Sequence, residues 1–220
     1  MPSESTRFLK GQARRLADEN DDLQKELAAL RESVKALSAL YYLSQKITPD
    51  VDVVKLLGEI LDASLRVLKA MNGSLMLTDE ETGELVFTIV RGEGSEQLLG
   101  YRLPQGQGIA GWVAMHRQPQ IVLDVRRDPR FFSQIDEEFG FKTRSMVCVP
   151  IYLDDGRTLG VIEVLNKTSD RDFTNEDLDL MLIVAQLAAT AMRRAERAIE
   201  AHERSERRSA LLQSHPPKYH

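Results

Sequence analysis

The sequence predicts an α/β protein of the α+β kind, one sheet-forming domain carried between long helices. Three observations predict it: leucines recur every seven residues from Leu9 to Leu37, six short β-type runs follow Gly73, and a helical pattern resumes after Phe173 and outlasts the sheet. With 220 residues, 42% of them hydrophobic, the chain has enough apolar material for at least one true core.

Leu9, Leu16, Leu23, Leu30 and Leu37 occupy heptad position d, which puts Ala13, Asn20, Leu27, Val34 and Tyr41 at position a. The stripe is narrow and flanked by Glu19, Asp22, Lys25 and Glu32, so it suits a partner helix better than the face of a sheet. A buried Asn20 amide is best satisfied by the same residue of an in-register parallel partner, and Glu26 at g would face Arg31 at e of that partner. Residues 1–47 are therefore predicted to be the coiled-coil helix of a parallel homodimer, with Leu9, Leu16, Asn20, Leu23, Leu27, Leu30, Val34 and Leu37 on the seam.

Thr48-Pro49-Asp50 ends this helix, because the residue before proline avoids helical geometry while proline itself starts a new helix readily. The next helix, about 51–70, shows a broad apolar face through Val53, Leu56, Leu57, Ile60, Leu61, Leu65 and Leu68. Strands are predicted at 74–78, 85–91, 99–103, 121–123, 145–151 and 158–166. Glu80-Glu81-Thr82-Gly83 and Asp154-Asp155-Gly156 have the residues of tight hairpins, pairing the first two and the last two strands antiparallel. The final helix is predicted to run past the domain (50–195) as a charged extension, 196–213, until Pro216-Pro217 leaves 214–220 a disordered tail.

A net charge of −5 gives no general pull toward nucleic acid or anionic membrane, and the six arginines between Arg193 and Arg208 are interleaved with four glutamates. The charged N-terminus lacks a signal-peptide apolar region, and the stretch from Leu180 to Met192 is shorter than the roughly 18 residues a membrane span needs. The chain is expected in the cytoplasm, with neither nucleic acid nor membrane as partner. Cys148 is the only cysteine, and of the four histidines only His116 falls inside the domain, so no metal triad or nucleophile pair is in view and no enzyme is expected.

The runs Gly106-Gln107-Gly108-Ile109-Ala110-Gly111-Trp112-Val113, Asp124-Val125, Asp128-Pro129-Arg130-Phe131, Phe141-Lys142-Thr143-Arg144-Ser145 and Gly160-Val161-Ile162-Glu163-Val164-Leu165-Asn166-Lys167 carry a resemblance over about 50–195. In residue type, order and spacing they resemble the GAF family, the sensory domains of cyclic-nucleotide phosphodiesterases and bacterial signalling proteins. The resemblance implies a six-stranded antiparallel sheet with the first and last helices on one face and a small-molecule pocket on the other. Carried over position by position, Ser74, Ile109, Ala110, Asp136, Thr143 and Glu163 match the pocket of cyclic-nucleotide-binding members. Three positions depart: Val90 replaces a stacking aromatic, Arg91 a carboxylate that reads the purine edge, and Phe139 a small hydroxyl residue. Asn166, Lys167, Phe173 and Asp177 match the first four residues of a five-residue signature in which lysine and aspartate form a clasp, while its closing glutamate is Leu178 here. The resemblance further implies that no cysteine stands where bilin-binding or sulfoxide-reducing relatives need one.

Some residues admit two readings. Asp177 also completes a capping box with Thr174. Gly106, Gly108 and Gly111 serve either a sharp turn into a helix whose free N–H groups receive a ligand, or close packing alone; Trp112 after Gly111 excludes a phosphate-cradling loop of the Gly-Lys-Ser type. Arg91 either attracts an anion or is a solvated strand end. Two functions of different class follow: a sensor that binds a small molecule or nucleotide, of unknown identity, and relays it through dimeric helices to a separate output protein, or a ligand-free dimerisation scaffold. For the sensor, 124–143 with its aromatic pairs Phe131-Phe132 and Phe139-Phe141 is the expected lid.

Overall fold

The structure, a computed structural model, describes residues 10–24, 27, 34, 38, 52–92, 95–168 and 171–214. Residues 10–24 are helical, as are 27, 34 and 38. Among these residues Leu16, Leu23, Leu27 and Val34 stand 65%, 58%, 47% and 55% exposed, apolar side chains that no described residue of the chain covers. Leu9, Leu30 and Leu37 of the predicted seam, the Thr48-Pro49-Asp50 break and the tail beyond Ser214 lie outside the described residues.

Helix α1 (Val53–Leu68) begins where the Asp52 carboxylate accepts the Lys55 amide at 3.0 Å, a cap worth about 1 kcal/mol, and stops at Lys69, which turns left-handed at φ 51°. Strands β1 (Ala70–Thr78), β2 (Leu85–Arg91), β3 (Arg102–Leu103), β4 (Gln120–Val122), β5 (Met146–Tyr152) and β6 (Thr158–Lys167) form one antiparallel sheet in the order β3-β2-β1-β6-β5-β4. Both predicted hairpins form. In the first, the Asp79 carboxylate accepts the amides of Glu81 and Thr82, and Gly83 takes φ 72°.

Strand alternation splits the core into two layers. Leu75, Val147, Val149, Ile162 and Val164 pack against α1 and the long last helix, α5 (Asn175–Ser214). Met76, Phe87, Met146, Cys148 and Val161 face the other side, where helices α3 (Gly108–His116) and α4 (Gln134–Phe139) cover the sheet. The extension 196–213 is continuous with α5.

Two strands differ from their prediction by more than one residue at an end. The run at 74–78 starts earlier, at Ala70, because Gly73 lets β6 lie against the strand: a Cβ there would sit 2.8 Å from the Glu163 carbonyl oxygen. Most of the run at 99–103 is not strand. Ser95–Leu98 forms the short helix α2, Gly100 turns the chain at φ 82° while its amide still donates to the Phe87 carbonyl of β2, and only Arg102 and Leu103 take strand form, leaving Leu99 exposed.

Candidate functional site

The register of three strands sets the centre of the site. Glu163 of β6 lies opposite Ser74 of β1 on one side and Cys148 of β5 on the other, and Ser74 lies opposite Val90 of β2. All four point away from α1 and α5, into the layer covered by α3 and α4. Above them is a cavity of about 80 Å³. Its floor comes from β1, β2, β5 and β6, its wall from Gly108, Ile109 and Ala110 at the start of α3, and its roof from Phe131, Phe132, Ile135, Asp136, Phe141 and Thr143.

Polar groups are few and specific. The Ser74 hydroxyl donates to Glu163 Oε1 at 2.8 Å. Glu163 is only 7% exposed, and burial, reinforced by the nearby Asp136 charge and opposed by the Ser74 hydrogen bond, pushes its carboxyl up to about 7. Asp136 accepts the Thr143 amide and the Thr143 hydroxyl, both at 2.7 Å, which ties α4 to the chain entering β5.

Eight of the nine positions carried over by resemblance, Ser74, Val90, Arg91, Ile109, Ala110, Asp136, Thr143 and Glu163, line this cavity. Phe139 does not. It ends α4 and packs edge-on against Tyr101, ring centres 5.3 Å apart. Arg91 borders the cavity, but its guanidinium is turned outward over α1, where Nε donates to Asp62 at 2.7 Å beside Gly58. The sequence reading missed Asn72, Met76, Phe87, Met146 and Leu165. Period-two alternation from Ser74 and Glu163 reaches Asn72, Met76 and Leu165, so the signal was present.

The GAF domain family model matches residues 52–192, the whole of α1, the sheet and the first half of α5. The chain belongs to the GAF domain family. A dual 3',5'-cyclic-AMP and -GMP phosphodiesterase 11A from Takifugu rubripes is 33% identical over 113 residues, which is 51% of this chain but 12% of that protein. The GAF domain from a phosphoenolpyruvate-protein phosphotransferase of Coxiella burnetii has a TM-score of 0.63 at 23% identity, covering 76% of this chain and 96% of that one. The free methionine-R-sulfoxide reductase of Neisseria meningitidis has a TM-score of 0.59 at 22% identity over 77% of this chain and 91% of that one. At such identities the solved structures show the shared fold.

At the edge of this GAF cavity, two adjacent residues join the roof to the last helix. Asn166, at φ 55°, accepts the amides of Arg144 at 2.8 Å and Ser145 at 3.4 Å through Oδ1 and donates from Nδ2 to the Lys142 carbonyl at 2.9 Å. Next to it the Lys167 ammonium pairs with the Asp177 carboxylate and lies 5.4 Å from the Phe173 ring centre. The same Asp177 oxygen accepts the Thr174 amide at 2.9 Å, while the Thr174 hydroxyl accepts the Asp177 amide at 3.4 Å. Clasp and capping box are therefore one structure rather than alternatives.

The glycine loop is close-packed, and the helix it opens starts at the cavity wall. A Cβ on Gly111 would fall 2.6 Å from the Gly106 carbonyl carbon, so loop and helix pack backbone to backbone, while Gly108, at φ 71°, opens the helix against the cavity. Cys148 is fully buried and burial raises its thiol well above the usual range, which makes it a packing residue. His116 Nδ1 lies 2.9 Å from the Trp112 carbonyl oxygen and its ring stacks on Trp112 at 4.3 Å, with Arg130 over the same indole at 4.5 Å. Among the described residues no group of three or more His, Cys, Asp and Glu is placed to hold a metal ion, and no helix is long and apolar enough to cross a membrane.

Proposed function

We propose that this GAF domain is a non-enzymatic cytoplasmic sensor that binds a small molecule in the cavity above Ser74 and Glu163 and relays occupancy through α5 and the N-terminal helices of a parallel homodimer to a separate output protein. The observation that carries it is the connection of the cavity roof to α5. Occupancy must displace or order the segment from Phe131 to Thr143, that segment is fastened at Lys142–Ser145 by Asn166, and the neighbouring Lys167 grips the first turn of α5. The exposed stripe Leu16, Leu23, Leu27 and Val34 supplies the seam for the second copy. The phosphodiesterase relatives act on cyclic nucleotides, but Val90 offers no ring for a purine and Arg91 is engaged by Asp62, so a cyclic nucleotide is not the ligand we favour. Native mass spectrometry of freshly purified protein tests the proposal. It predicts a dimer carrying a low-mass adduct that Ala110→Trp, which fills the cavity, removes; a dimer of bare mass whose stability is unaffected by Ala110→Trp would favour the ligand-free scaffold.

A further inference from the structure

The chemistry of the cavity narrows what it can hold, given the reading that it is a ligand site. Two carboxylates, Glu163 and Asp136, face it among aromatic and aliphatic side chains. Among the described residues Glu163 has one hydrogen-bond partner, Ser74, which fills one of about four acceptor positions on its carboxylate. Asp136 is held by Thr143 through neutral donors only. Arg91, the one basic side chain bordering the cavity among the described residues, is already paired with Asp62 and lies toward α1. Among the described residues neither the buried Glu163 nor the half-buried Asp136 therefore has a cation beside it.

We propose that the cavity binds a small organic cation, an ammonium or amidinium group joined to an apolar or aromatic body, with Glu163 and Asp136 receiving the charged N–H groups. The rings of Phe87, Phe131, Phe132 and Phe141 enclose the apolar body, and their faces attract a cation in turn. The start of α3 also borders the cavity and favours the opposite sign, but a helix terminus is equivalent to about half a positive charge against two carboxylates. Its free N–H groups suit a carbonyl oxygen on the same ligand. A phosphate or carboxylate ligand would bring its charge beside Asp136 and Glu163 with no free cation among the described residues to meet it.

A matched set of probes on one body, phenethylamine, phenethyl alcohol and hydrocinnamate, together with cyclic GMP, tests the proposal by NMR titration of the intact chain, following the amides of Ser74, Ile109 and Thr143. Phenethylamine is expected to shift these amides and to bind about tenfold tighter than the alcohol or the acid. Glu163→Gln should abolish the preference for the amine over the alcohol; where that variant does not fold, Asp136→Asn carries the same expectation. Tighter binding of hydrocinnamate, the alcohol or cyclic GMP at these amides overturns the cation while the ligand site stands. If no probe shifts them, the cation proposal and the ligand site fall together.

Discussion

Replacing Glu163 with glutamine should make the ligand-free protein more stable, increasingly so as pH rises above about 4.5. Burial raises the folded-state value of this carboxyl from 4.5 to about 7. An unfolded Glu163 ionises near its ordinary value, so between those limits the folded state binds more protons than the unfolded one, and stability falls as pH rises. At about 1.36 kcal/mol per pKa unit the full effect is about 3 kcal/mol, absent near pH 4 and complete above pH 8. The amide in Glu163→Gln does not titrate, and its oxygen can still accept the Ser74 hydroxyl, so the hydrogen bond that holds the native side chain survives. Urea unfolding at fixed protein concentration should therefore show the variant close to wild type at pH 4 and more stable by about 3 kcal/mol at pH 8, a midpoint shift on the order of 1 M. An equal difference at the two pH values would refute the claim that Glu163 is a desolvated carboxyl without a cationic partner.

Other consequences follow from single contacts. Asp177→Ala removes the clasp and the cap together and should cost about 2 kcal/mol, Lys167→Ala about 1, and their effects should fall short of additive in a thermal double-mutant cycle. Asn166→Gly keeps the left-handed backbone but loses three side-chain hydrogen bonds, so amides 142–145 should exchange faster, and Asn166→Ala should cost about 1 kcal/mol more than the glycine variant because alanine resists φ 55°. Asn20→Leu should raise the melting temperature while broadening the oligomeric state seen by light scattering, since on the proposed dimer seam an amide at this position lowers stability and fixes register.

The sheet was legible where turn chemistry and alternation agree. Strand β2 runs from Leu85 to Arg91 as predicted because the Asp79–Gly83 hairpin fixes its start. The apolar run from Leu99 to Leu103 misled because a left-handed Gly100 breaks it, leaving two residues in strand form. At the cavity, the resemblance located residues but not their partners. Ser74 and Glu163 are 89 positions apart, and only strand register brings a hydroxyl onto a carboxylate there. Arg91 looked free to meet an anion because no local pattern reveals that α1 crosses its strand with Asp62 at hydrogen-bonding distance. Phe139 looked like part of the lid, and the short helix α4 carries it past the cavity to Tyr101.

Hydrogen exchange of the protein as purified, with the small molecule that the proposed function expects to accompany it, and again after unfolding and refolding have stripped that molecule, tests the sensor account most directly. It predicts slower exchange with the molecule bound in the roof from Phe131 to Thr143, and a further change in the first turns of α5 beyond Asp177. Equal exchange of the roof in both states would contradict it.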